Sequence, residues 1–105
     1  MFHFLKNLFP HADDILSILS AHPLILDVRT PGEYSDGHID GSLNISLDSL
    51  PRSLAQLPDK SKPIIVCCAS GSRSSAAKML LEVAGYTHVF NGGGWKELLK
   101  KLRAE

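Results

Sequence analysis

Two short apolar runs, Pro23-Leu24-Ile25-Leu26-Asp27-Val28 and Pro63-Ile64-Ile65-Val66-Cys67, constrain this chain most. Neither alternates apolar with polar residues, so neither suits a strand with one wet face. Runs of this length fit strands buried on both faces, as in a parallel sheet. Helix signals lie between and beyond them. Thr30-Pro31-Gly32-Glu33 sets a hydroxyl at an N-cap, a proline at the first helical position and an acid at the third. That is a capping box, and it predicts a short helix through residues 34–35, broken at Gly37-His38. Residues 74–84 are rich in helix formers and Gly85 caps them. Residues 95–102 place Leu98, Leu99 and Leu102 on one helical face. Short strands are expected at 43–46 and 88–90, and a helix entered through Pro51 over 48–57. Residues 58–62 read as a polar turn and 91–94, Asn-Gly-Gly-Gly, as a flexible one. Strands alternating with helices give the α/β class with a parallel sheet.

The N-terminus is expected to add helix. Phe2, Leu5 and Leu8-Phe9 recur at helical spacing, so a helix is predicted over 2–8, ending before Pro10. A second opens at Ala12-Asp13-Asp14, with acids where the helix dipole favours them, and ends at His22-Pro23. With 105 residues the chain is expected to be one domain, 1–20 an N-terminal helical segment and 21–105 the core. Lysine plus arginine equals aspartate plus glutamate, eleven each, which gives no support for a nucleic-acid or membrane-surface partner. No apolar stretch reaches the ~18–20 residues of a membrane span. The N-terminus also lacks the pattern of a signal peptide, so the cytoplasm, where thiols stay reduced, is the expected location. A monomer is expected.

Both cysteines are adjacent, Cys67 and Cys68, at the end of the second apolar run. A bridge between sequence neighbours is strained and closes no useful loop. A zinc site needs roughly four ligands. The histidines at 3, 11, 22, 38 and 88 are scattered, so no metal or cofactor is expected. Open α/β sheets bind ligands beyond the carboxyl ends of their strands. Cys68 stands at such an end, followed by Ala69, Ser70, Gly71, Ser72, Arg73 and Ser74 and then a helix. A small-residue loop running into a helix N-terminus aims N–H groups inward, and that field favours thiolate over thiol. Arg73 is expected to close the cradle with a fixed charge. Cys67 continues the strand and is expected to be buried and inert, so Cys68 is the expected nucleophile. Asp27, at the same edge, is expected to orient the loop or Arg73. Arg29 and Glu33 are spaced for an ion pair.

The order of these features resembles the rhodanese family of sulfurtransferases. The similarity is carried by LDVRTPGEYSDGHIDGSLNI (26–45) and IIVCCASGSRSSAAKMLLEVAGYTHVFNGGGW (64–95). The resemblance implies a single-domain, three-layer fold with a small parallel sheet flanked by helices. It implies that Cys68 takes a sulfane sulfur from a small anionic donor such as thiosulfate, releasing sulfite, and passes it from a persulfide to a thiophilic acceptor, a thiol or another protein. Backbone N–H groups of residues 69–74 would stabilise the anion, helped by Arg73. Asp27 is read as a supporting residue, and Trp95 as packed at the active-site rim or in the core; the family pattern makes Arg29 structural and puts His38 in a structural turn. Related phosphatases use a loop with five residues between cysteine and arginine. Four separate Cys68 from Arg73, although counting from Cys67 gives five. The competing readings are a partner-binding module on the same scaffold and a phosphatase or arsenate reductase. With Ala69, Ser70, Gly71 and Ser72 uncharged, modest affinity for a dianion is expected, and a protein persulfide is an alternative donor.

Overall fold

The computed structural model describes residues 17–104. The helix expected over 2–8 and the opening of the next at Ala12-Asp13-Asp14 lie outside them. Residues 17–19 are helical, and His22, with φ of 52°, turns the chain into the sheet. Four strands follow: β1 (Leu24–Asp27), β2 (Leu43–Asn44), β3 (Ile64–Cys68) and β4 (Val89–Gly94). All neighbours are parallel, in the order β2-β1-β3-β4. Helix α1 (Pro31–Asp36) lies between β1 and β2, α2 (Ser72–Val83) between β3 and β4, and α3 (Trp95–Ala104) follows β4. The fold is α/β with a parallel sheet, as the two apolar runs require.

Alternation along β3 assigns side chains to two cores. Ile64, Val66 and Cys68 join Leu26, Val28, Leu50, Ala77 and Leu81 on one face. Ile65 and Cys67 join Ile18, Ile39 and Leu98 on the other, with Trp95, Leu99 and Leu102 packed against them. All five residues of β3 are buried. The two sulfurs therefore sit in different layers, because successive strand residues face opposite ways.

Three local readings change. Residues 48–57 do not form one helix; 3-10 turns run over Leu47–Arg52 and Leu54–Gln56. Pro51 supplies no N–H for a continuing helix. Helix α2 starts at Ser72, two residues earlier than expected, because Gly71 takes the N-cap position with φ of 108°. Asn91-Gly92-Gly93-Gly94 is strand rather than a flexible turn, with a register shift opposite Val66/Cys67. The glycines are there for close approach. A Cβ on Gly92 would lie 2.7 Å from Ile65 Cγ2, and one on Gly94 would lie 2.8 Å from the Ala69 carbonyl oxygen.

The capping box is formed as expected. Thr30 Oγ1 accepts from the Glu33 N–H at 3.2 Å, and the Thr30 N–H donates to Glu33 Oε1 at 3.0 Å. Arg29, expected to pair with the Glu33 carboxylate, pairs instead with Asp27, at 2.7 Å between Nη2 and Oδ2. Both are buried. The same guanidinium donates to the main-chain oxygens of Glu33 at 3.2 Å and Gly37 at 2.8 Å, and lies 4.7 Å from the Trp95 ring centroid. One side chain thus joins β1, α1, the Gly37 turn and α3. Among the described residues no helix is long and apolar enough to cross a membrane, and no buried side-chain nitrogen or oxygen lacks a hydrogen-bond partner.

Two measurements test this packing. Gly92→Ala is expected to lower stability by about 1–3 kcal/mol through overpacking, read as a fall in the urea midpoint. Gly32→Ala, with nothing within 4 Å of the added carbon, is the control and should not destabilise. Asp27→Ala leaves the Arg29 charge buried alone and is expected to cost about 3–5 kcal/mol in the same assay.

Candidate active site

Strand β3 ends at Cys68 and α2 begins at Ser72, so only residues 69–71 span the gap. So short a connection needs a backbone conformation that residues with a Cβ rarely take, and Gly71 supplies it. The reversal turns the first N–H groups of α2 back toward the strand end. These have no partner within the helix. The Gly71 N–H donates to Cys68 Sγ at 3.0 Å and the Ser74 N–H at 3.3 Å. The Cys68 thiol in turn reaches Ser74 Oγ at 3.5 Å.

These contacts decide the ionisation of the thiol. Burial raises the Cys68 pKa, but the hydrogen bonds of the Ser74 side chain and of the Ser74, Gly71 and Ser70 N–H groups together bring it below its ordinary value. Cys67, one residue earlier, is pushed up to about 12, first by burial and then by the Asp27 carboxylate, with Cys68 adding and Arg29 opposing. Two adjacent, fully buried cysteines are thus driven in opposite directions. Only Cys68 has donors aimed at its sulfur, and such donors are what separate a reactive thiol from an inert one. The loop wraps the sulfur rather than standing open above it, since Cys68 has no exposed area.

Ser74 carries a second line of contacts. Its hydroxyl lies 2.6 Å from Asn91 Oδ1 and 3.0 Å from the Gly71 carbonyl oxygen. Asn91 Oδ1 also accepts from the Gly93 N–H at 2.9 Å. Strand β4 therefore fixes the serine that contacts the Cys68 sulfur. Asn91 was hidden within a stretch that reads as a turn. Its signal was a polar side chain directly after an apolar strand, at the carboxyl edge where ligands bind.

The remaining expected residues divide. Gly71 and Ser74 hold the sulfur. Ala69 and Ser70 are exposed at the loop tip, and Ser72 is the first residue of α2. Arg73 does not close the cradle: its Nη1 and Nη2 donate to Glu33 Oε1 at 2.7 Å and Oε2 at 2.9 Å. The α1 carboxylate meets both prongs of the guanidinium, a geometry that planar matching favours. This contact and the capping bonds from Thr30 hold the Glu33 carboxyl down to about 2. Asp27 orients neither the loop nor Arg73; it is occupied by Arg29. Arg29 is held by that pair and lies over the Trp95 ring. His38 stacks on Tyr34 and lies 2.7 Å by Nδ1 from the Tyr34 carbonyl, a structural turn. Trp95 is half-buried and packs against the core face that contains Cys67. Among the described residues no three histidine, cysteine, aspartate or glutamate side chains gather as a metal site.

Known proteins resemble this chain over most of its length. The rhodanese-like domain family model matches residues 11–101. The thiosulfate sulfurtransferase PspE of Escherichia coli (strain K12) is 40% identical over 74 residues, 70% of this chain and 71% of its own length. The thiosulfate sulfurtransferase GlpE of Stutzerimonas stutzeri (strain A1501) is 35% identical over 79 residues, 75% of this chain and 72% of its own. A solved structure described as rhodanese with anions from E. coli superposes with a TM-score of 0.67 at 39% identity, covering 71% of this chain and 89% of that one. With a parallel sheet of this order and a cysteine loop at its carboxyl edge, the chain belongs to the rhodanese-like domain family, among relatives that are thiosulfate sulfurtransferases.

Proposed function

We propose that this chain transfers sulfane sulfur through a persulfide on Cys68. The observation that carries the reading is the convergence of the Gly71 and Ser74 N–H groups on Cys68 Sγ. Those donors favour the thiolate, the form that attacks sulfur. The names of the relatives, thiosulfate sulfurtransferases, support thiosulfate as a donor.

In the first half-reaction the Cys68 thiolate attacks the outer sulfur of the donor. A new S–S bond forms at Sγ, the bond to the sulfonate sulfur breaks, and sulfite leaves with the electron pair. In the second, a thiophilic acceptor, cyanide in an assay or a thiol in a cell, takes the outer sulfur and restores the thiolate. Neither half uses a general base in this reading, because the loop's hydrogen-bond donors lower the pKa of the thiol before the sulfur donor arrives. Because Cys68 has no exposed area, donor entry requires a small opening of the exposed residues Ala69 and Ser70.

Intact mass after incubation with thiosulfate tests the reading. Wild type and Cys67→Ser are expected to gain one sulfur atom, lost on adding cyanide, and Cys68→Ser to gain none. Labelling that follows Cys67 would reject the assignment. No labelling of any variant, with free thiols confirmed, would favour a different sulfur donor or the partner-binding module.

The loop chemistry predicts a pH profile. Activity should fall as pH drops through the Cys68 pKa, which lies below the ordinary 9.0. Ser74→Ala removes the hydroxyl that can turn its hydrogen onto a Cys68 thiolate and is expected to move the profile toward alkaline pH. Well below the pKa, raising it by one costs about tenfold in thiolate. An unmoved profile in a folded variant would remove Ser74 from the machinery.

A further inference from the structure

The cation of the loop is already occupied. Arg73 is held in a two-pronged pair by Glu33, and Glu33 cannot easily let go. Its Oε1 also accepts from the Thr30 N–H at 3.0 Å and lies 3.1 Å from Thr30 Oγ1, so swinging it away gives up the Glu33 half of the capping box. A second carboxylate stands nearby. Asp48 and Arg73 line one small cleft of about 70 Å³ with Val28, Thr30, Ser46 and Leu47. The other loop residues are uncharged, and Arg29 is buried against Asp27 beneath Trp95. Among the described residues, one positive charge therefore faces two negative ones around the loop.

We propose that Glu33 is a specificity-determining residue: by holding and cancelling Arg73, it turns the site away from doubly charged donors and toward sulfane-sulfur donors bearing at most a single charge, the class of thiosulfonates and persulfides. The inference rests on the sulfur-transfer reading above. The physical basis is that Coulomb energy scales with donor charge, so loss of a free cation weakens binding of a dianion more than that of a donor with fewer charges. The chemistry of the Cys68 step is unchanged. With a thiosulfonate, the Sγ–S bond forms, the bond to the sulfonyl sulfur breaks and a sulfinate leaves with the electron pair. With a persulfide the leaving group is a thiolate and any proton on the transferred sulfur stays there.

Thiosulfate and methanethiosulfonate provide the test. Both present a terminal sulfane sulfur, and they differ by one charged oxygen replaced with methyl. The ratio of their kcat/KM values, with cyanide as acceptor, is compared between wild type and variants, so intrinsic donor reactivity cancels. Glu33→Gln keeps an oxygen for the Thr30 cap and frees Arg73. The thiosulfate-to-methanethiosulfonate ratio is expected to rise about tenfold, through the thiosulfate KM. The gain should shrink as ionic strength is raised, because the pair is partly exposed. If Glu33→Gln fails to fold by circular dichroism, Glu33→Ala takes its place with the same expected rise, and adding Arg73→Gln to the folded Glu33 variant should remove the gain. An unchanged ratio in the folded variants, with both donors turned over, overturns the role of Glu33 and leaves sulfur transfer standing. A wild type that turns over neither donor overturns both.

Discussion

One buried ion pair ties together the segments that surround the end of β1. Asp27 and Arg29 face each other at the carboxyl edge of β1, with side chains 1% and 5% exposed. A pair so buried does little for net stability, because desolvation offsets the attraction. Its value here is positional. Asp27 receives the Arg29 main-chain N–H as well as its guanidinium, which locks the turn leaving β1. The guanidinium then gathers two carbonyls and an aromatic face from three other segments. This fixes where α1 starts, and so where Glu33 stands relative to the loop after β3.

The loop itself is stabilised by backbone rather than by side-chain charge. Helix N-terminal N–H groups need a partner, and a buried thiolate needs donors; each supplies what the other lacks. Gly71 makes the meeting possible by reversing the chain within three residues. Gly94 makes it tight, since only a residue without Cβ fits beside the Ala69 carbonyl. Asn91 and Ser74 then tie the loop to β4. A cradle built this way holds an anionic sulfur without committing a cation to it, which leaves Arg73 to be claimed by α1.

Much of this was legible from local pattern. The apolar runs 23–28 and 63–67 pointed to parallel buried strands. Thr30-Pro31-Gly32-Glu33 pointed to the capped helix, and Cys68 before a small-residue loop to the candidate nucleophile. Each of these signals is carried by neighbours in sequence, through hydrogen bonds or periodicity within a few residues. The misread segments share the opposite property. The run 91–94 looked like a turn because glycine is usually punctuation, yet here its missing side chains admit Ile65, Leu98 and Ala69 from distant parts of the chain. Residues 48–57 carried helix propensity that Pro51 confines to 3-10 turns.

Fold class, the order of the elements and the placing of Cys68 at a strand end ahead of a helix all follow from the order of the residues, because periodicity and local hydrogen bonding dictate them. The pairing of the charges does not; it emerges when the elements pack. Glu33 lies four residues from Arg29 and forty from Arg73, yet its carboxylate goes to Arg73, while Arg29 turns to Asp27. Charge is non-directional and indifferent to sequence separation, so partner choice follows which side chains the packed elements bring within about 3 Å, and no local pattern encodes that distance.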